Sequence, residues 1–147
     1  MHKIFSYTYT LDTLDIIAKE LTSILDSCSI MTFEGDLGAG KTTLIKKILY
    51  SMGVTDVITS PTYTYVNRYT NNHNMIYYHF DLYRLSDQRD FIDLGFDEYI
   101  YQDNSKALIE WPRIINDLIQ TKKASVVLDY IDADSRKIEC FLSNDMR

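Results

Sequence analysis

Leu14, Ile17, Leu21, Ile24 and Leu25 recur at steps of three and four, which predicts an amphipathic helix over residues 11–26 with Thr10 as its N-cap. "SIMTFEG" is a short apolar run and predicts a buried strand. From Lys41 the helical spacing returns, and Gly53 marks its C-terminal stop after Met52. "TYTYVNRY" then alternates in β-prone residues, and "NMIYYHFDLYRL" answers it across the polar cluster "TNNH", which predicts a β-hairpin. A weakly helical, acidic stretch runs to about Tyr101. "KALIEW" predicts a strand that ends in an acid and a Trp, and Pro112 suits the first turn of a helix reaching about Gln120. "SVVLDYI" and "KIECFL" predict a second hairpin around "DADSR". Helices and strands alternate at first and the strands become antiparallel later. The expected architecture is one three-layer α/β domain over residues 1–147 with a mixed, partly antiparallel sheet. There is no internal repeat, low-complexity tract or linker.

Composition narrows the class without naming a chemistry. Hydrophobic residues make up 46% and charged residues 24% of the 147, a globular balance. No run of about eighteen apolar residues predicts a membrane span, and the N-terminal residues lack an apolar signal core and a small-residue cleavage site. A cytoplasmic protein is the expectation. Cys28 and Cys140 form no C-x-x-C pair and read as two free thiols. His2, His73 and His79 share no metal-ligand spacing, which argues against zinc. The net charge of −6 argues against a self-sufficient nucleic-acid binder, whose domain is usually basic. Lys46-Lys47 and Lys122-Lys123 read as solvated faces. The twelve tyrosines lack an accompanying basic groove, so strand and core packing is preferred over base stacking.

The chemistry begins at "FEGDLGAGKTT". Gly35, Asp36, Leu37, Gly38, Ala39, Gly40, Lys41 and Thr42, followed by Thr43, fit the G-x-x-x-x-G-K-[ST] phosphate loop. Glycines permit backbone conformations that turn successive amides inward as a nest for phosphate oxygens. The following helix points its positive end at the same anion. The Lys41 ammonium suits the β and γ phosphates, and the Thr42 hydroxyl suits Mg²⁺. Average residue usage produces this pattern by chance in roughly one chain in two hundred of this length; here it also falls between a predicted strand and a predicted helix. Nucleotide binding is therefore expected. "TKKA" lacks the Asp of the Asn/Thr-Lys-x-Asp guanine element, which favours ATP. Thr10 and Leu11, just before the first helix, are candidates for the base.

Phosphate chemistry needs carboxylates near the γ phosphate. Asp81 follows "MIYYHF" and Glu110 follows "KALI", each at the carboxyl end of a predicted strand, where ligands of open α/β sheets sit. Either acid could place Mg²⁺ or orient the attacking water, or merely cap an element at the surface. "SPTYTY" offers the hydroxyls of Ser60 and Thr62 around the stiff Pro61, either as a sensor of the γ phosphate or as an ordinary lead-in to a strand.

Together "GDLGAGKTT", "SPTYTYVNRY", "YHFDLYRL" and "LIEWP" resemble the TsaE family, the small P-loop ATPases of bacterial tRNA threonylcarbamoyladenosine synthesis; the acidic "LGFDEY" also looks like the family. The resemblance runs from about Thr10 to about Leu142 and implies a P-loop NTPase fold. It implies that Gly38 to Thr43 bind ATP phosphates, with Lys41 neutralising them and Thr42 holding Mg²⁺. Asp81 takes the place of the catalytic acid, Glu110 that of a second Mg²⁺-associated acid, and Trp111 that of a residue shaping the site. Ser60 and Thr62 correspond to a switch-like loop. Gln88 and Arg89 depart from the consecutive acids many members carry after "YRL", and only "SNDMR" follows "KIECFL". The implied role is a helper ATPase, slow alone, that acts on a threonylcarbamoyl transferase and its inactive paralogue, with tRNA touching those partners more than this chain. The alternative is a P-loop kinase of a small metabolite or nucleoside, against which stands the scatter of Arg84, Arg89 and Arg113 with no lid-like cluster.

Overall fold

Residues 30–33 carry almost no exposure on either face, the signature of a central strand covered on both sides. The computed structural model, which describes residues 1–143, builds outward from that strand; residues 144–147 of the expected domain, most of "SNDMR", lie outside the described residues. In chain order the elements are β1 (His2–Thr10), α1 (Leu14–Asp26), β2 (Ile30–Glu34), α2 (Lys41–Ser51), β3 (Val66–Thr70), β4 (Ile76–Asp81), α3 (Gln88–Asp93), α4 (Phe96–Ile100), β5 (Ser105–Glu110), β6 (Lys123–Tyr130) and β7 (Ser135–Leu142). Short 3₁₀ turns occupy Leu11–Thr13 and Pro112–Leu118. Among the described residues the strands form one sheet in the order β1-β7-β6-β2-β5-β4-β3. β6, β2, β5 and β4 run parallel, while β3, β7 and β1 are antiparallel to their neighbours.

Helices α1 and α2 cover one face. The stripe foreseen on α1 is buried at Leu14, Ile17, Leu21 and Leu25, and it meets Leu44, Ile45, Ile48 and Leu49 of α2 over Met31, Phe33 and Leu108. The other face is covered by α3, α4 and the second 3₁₀ turn. There Phe80 of β4 packs against Phe91 and Phe96, each at 5.7 Å between ring centroids, within a cluster that includes Ile109 and Ile115. These are the three layers and the mixed sheet expected from the alternation of elements, and both hairpins form, with Tyr69 opposite Tyr77 and Leu128 opposite Ile138.

Three local expectations are corrected. The first hairpin strand starts at Val66 rather than at Thr62, because Tyr65 takes a left-handed φ of 67° and its N–H closes a turn onto the Pro61 carbonyl at 2.9 Å. The segment after Trp111 is a 3₁₀ turn ending at Leu118, not an α-helix to Gln120. Its buried residues Pro112 and Ile115 are three apart, the period of a 3₁₀ helix. The helix over 11–26 opens as a 3₁₀ turn, in which the Thr13 hydroxyl accepts from the Thr10 N–H at 3.0 Å and donates to its carbonyl at 3.2 Å. β1 was not anticipated. It is an edge strand with a bulge between Lys3 and Phe5; Phe5, Tyr7 and Tyr9 alternate with Ser6, Thr8 and Thr10 as a strand requires, although only Phe5 and Tyr9 of that face are buried.

Core packing accounts for a minority of the twelve tyrosines: Tyr9, Tyr69, Tyr77 and Tyr78 are buried, whereas seven, Tyr63 and Tyr83 among them, stand exposed. Cys28 and Cys140 are buried free thiols, and burial pushes Cys140 up to about 12. No helix of the described residues is long and apolar enough to cross a membrane. Leu49, fully enclosed between α2 and the sheet, is a direct test of the first core: Leu49→Ala is expected to cost about 2–5 kcal/mol in urea unfolding at equilibrium.

Candidate functional site

The loop between β2 and α2 is held by two backbone demands. At Gly35 a Cβ would lie 2.5 Å from the carbonyl oxygen of Leu128, so only glycine lets the loop run against β6. At Gly40 the φ of 99° is left-handed, and the turn it makes starts α2. No side chain caps that helix's first turn, so its leading N–H groups are open to an anion. Between them the Ala39 N–H closes onto the Asp36 carbonyl at 3.0 Å.

Lys41, the first residue of α2, is almost entirely enclosed. Its ammonium donates to the carbonyls of Gly35 and Asp36, the latter at 3.0 Å, and lies 4.2 Å from the centroid of the Trp111 ring. Burial holds its pKa below the ordinary lysine value, against the pull of Glu110, Asp81 and Asp36. Trp111 reaches this position from a left-handed φ of 58° immediately after β5.

Parallel pairing sets Asp81 directly beside Glu110 at the carboxyl ends of β4 and β5. The single Thr42 hydroxyl hydrogen is shared between the two Glu110 oxygens, at 2.8 Å to Oε1 and 3.0 Å to Oε2. Glu110 Oε2 also meets His79 Nε2 at 2.7 Å. Asp81 accepts the Tyr83 N–H at 3.1 Å, and burial raises its carboxyl above the ordinary range. The hydroxyls of Ser60 and Thr62 stand 2.9 Å apart.

A cleft of about 580 Å³ gathers these groups. Of the residues singled out in the sequence, Thr10, Leu11, Leu37, Gly38, Gly40, Lys41, Thr42, Thr43, Ser60, Thr62, Asp81, Glu110 and Trp111 line it. Gly35, Asp36 and Ala39 frame the loop from outside that lining. Sequence reasoning missed Tyr9, Tyr83, Arg84 and the β6–β7 turn, whose Ala133, Asp134 and Arg136 form a further part of the wall. Arg136 stacks on Tyr130 at 4.5 Å and donates to the Gly38 carbonyl at 3.4 Å, while its Nε is buried without a partner among the described residues. Arg84 lies over the Tyr63 ring at 4.8 Å. Two arginines far apart in sequence thus meet at one cleft, which no local spacing signals. The oxygen donors of Thr42, Asp81 and Glu110 are hard ligands and fit a Mg²⁺ ion in chemistry.

The family model described as "Threonylcarbamoyl adenosine biosynthesis protein TsaE" matches residues 8–138. The tRNA threonylcarbamoyladenosine biosynthesis protein TsaE of Bacillus subtilis is 35% identical over 122 residues, 83% of this chain and 75% of that protein. The protein of the same name from Haemophilus influenzae is 40% identical over 80% of this chain and 73% of its own; that of Rickettsia bellii is 36% identical over 87% and 86%. Among solved structures, the crystal structure of Bacillus subtilis YdiB superposes with a TM-score of 0.73 at 27% identity, covering 95% of this chain and 86% of that one.

The raised Asp81 carboxyl has a consequence for stability. A folded pKa above the unfolded one means that the charged form costs stability at pH values above the folded pKa, and that the cost vanishes below the ordinary carboxylate range. Asp81→Asn is therefore expected to raise the melting temperature at neutral pH, with the gain shrinking as the pH is lowered towards 4, the ordinary Asp value being about 3.9. Thermal melts of both proteins across that range check it.

Proposed function

The chain belongs to the TsaE family, and from that premise we propose that it is the ATP-binding and hydrolysing subunit of tRNA N⁶-threonylcarbamoyladenosine modification, acting on the transferase complex rather than transferring the group itself. The observation that carries the ATPase reading is the convergence of the phosphate loop with two strand-end carboxylates in one cleft, tied by the bond from Thr42 to Glu110. The relatives that carry the modification's name match most of the chain.

In this reading the loop amides around Gly38 to Thr43 bind the phosphate oxygens, and the Lys41 ammonium exchanges its loop carbonyls for phosphate charge. Thr42, Glu110 and Asp81 would hold Mg²⁺, which when bound neutralises phosphate charge. Glu110 is already engaged by Thr42 and His79. Asp81 takes a single backbone N–H among the described residues, and its raised pKa suits a group that orients water and accepts its proton. Ser60 and Thr62 sense the γ phosphate from the facing loop, and Arg136 adds a second positive charge beside Gly38. Thr10 and Leu11 stand with the β6–β7 turn for the nucleoside end.

Partners follow from charge and size. A chain with a net charge of −6 gains little from phosphate contacts along RNA, so tRNA is contacted chiefly by the transferase subunit and its paralogue, in the cytoplasm where tRNA is modified. Hydrolysis by the isolated chain is slow because those partners complete the site.

Lys41→Ala is expected to weaken ATP binding by about 100-fold, the upper end for lost charge-assisted bonds, by isothermal titration; affinity equal to the parent protein's would sink the phosphate-loop assignment. Reconstitution with the transferase pair, tRNA and ATP is expected to give multiple-turnover modification only with this chain present. Asp81→Ala should reduce the reaction to a single round. Efficient phosphorylation of a nucleoside or metabolite by the purified chain would replace this reading with a kinase.

A further inference from the structure

His79 is completely enclosed in the middle of β4, yet the reading above gives it no task. An imidazole placed among apolar neighbours, with one bonding partner, is costly to bury; an aliphatic side chain would fill the same space without that cost. Its one partner is Glu110, through Nε2 to Oε2 at 2.7 Å. The other ring nitrogen, Nδ1, is buried with no partner among the described residues. A proton on Nδ1 would be an unsatisfied buried donor, so the tautomer that fits carries its hydrogen on Nε2 and gives it to Glu110.

The sheet register explains the reach. Asp81 pairs with Glu110, and His79 pairs with Leu108 one step back. Alternation puts His79 and Asp81 on the same face of β4, so the imidazole approaches Glu110 diagonally from beneath. The two carboxylate oxygens thereby become unlike. The one Thr42 hydroxyl hydrogen is shared between Oε1 at 2.8 Å and Oε2 at 3.0 Å, whereas His79 reaches Oε2 alone, at 2.7 Å.

We propose that His79 is a positioning residue: by occupying Oε2 it fixes the Glu110 carboxylate in one orientation and presents Oε1 as the ligand for the divalent cation of the nucleotide site. Carboxylates and imidazoles at metal sites are oriented by such outer hydrogen bonds, whose loss weakens metal affinity by about 10–100-fold. The proposal rests on the ATP-site reading, and its test separates the two.

Trp111 is the one tryptophan of the chain and lines the cleft, so its fluorescence reports nucleotide and metal together. ADP is titrated first without metal, then Mg²⁺ is titrated at saturating ADP. In His79→Leu the metal-free ADP affinity is expected to stay within about twofold, while the half-saturating Mg²⁺ rises about 10-fold or more. His79→Gln, whose amide reaches the Nε2 position, is expected to recover most of that loss. In a Glu110→Gln background, His79→Leu is expected to add less than about twofold, because its effect runs through the carboxylate. Should His79→Leu fail to fold by circular dichroism, His79→Asn, whose amide reaches only the Nδ1 position, takes its place. An unchanged Mg²⁺ midpoint overturns the proposal, as does a Gln variant no better than Leu or a full-sized shift surviving in the Glu110→Gln background. Failure of the ATP-site reading shows differently: the parent protein itself gives no response to ADP, and both readings then fall together.

Discussion

The hydrogen bond from the Thr42 hydroxyl to Glu110 joins the start of α2 to the end of β5, and the candidate site is organised around it. Thr42 is delivered by a loop that only glycine can thread past Leu128. Glu110 is delivered by parallel pairing of β5 with both β2 and β4. Neither group would find the other without the sheet order, since they lie 68 residues apart in the chain. Once that bond is made, Asp81 stands beside it by register and His79 beneath it.

The layers around the sheet divide the work of holding this arrangement. On one face α1 and α2 press a nearly continuous aliphatic core onto β2 and β5, which fixes the helix that carries Lys41 and Thr42. On the other face the aromatic trio of Phe80, Phe91 and Phe96 holds β4, and with it the strand end that carries Asp81. Lys41, Asp81 and Glu110 can then be kept buried where they line the cleft, at a cost visible in the lowered Lys41 and the raised Asp81. Both shifts arise first from burial, and shifts of that origin cluster at functional sites.

Much of this was legible from local pattern. The α1 stripe, the buried β2 run and the two hairpins obey periods that side-chain geometry imposes on any sequence, and the phosphate loop is a contiguous motif. Reading failed where the signal was not local. β1 is the exception, since the alternation of Phe5, Tyr7 and Tyr9 with Ser6, Thr8 and Thr10 is local even though only Phe5 and Tyr9 are buried. Tyr65 turns left-handed and shortens β3, against a β-prone alternation. Arg136 reaches the cleft from the far hairpin, and a tight polar turn such as "DADSR" looks the same whether or not it borders a site.

The sequence by itself determined the phosphate-loop motif, its candidate carboxylates and the class of fold. Glycines, the lysine and the threonine of the phosphate loop must be contiguous to act, and periodicity is written along the chain. Only the tertiary structure decided who meets whom: that Glu110 bonds Thr42, that His79 meets Glu110, and that Arg84 and Arg136 share one cleft. Those meetings depend on strand order and register, which arise from burying two faces of one sheet at once, and no stretch of sequence records them alone.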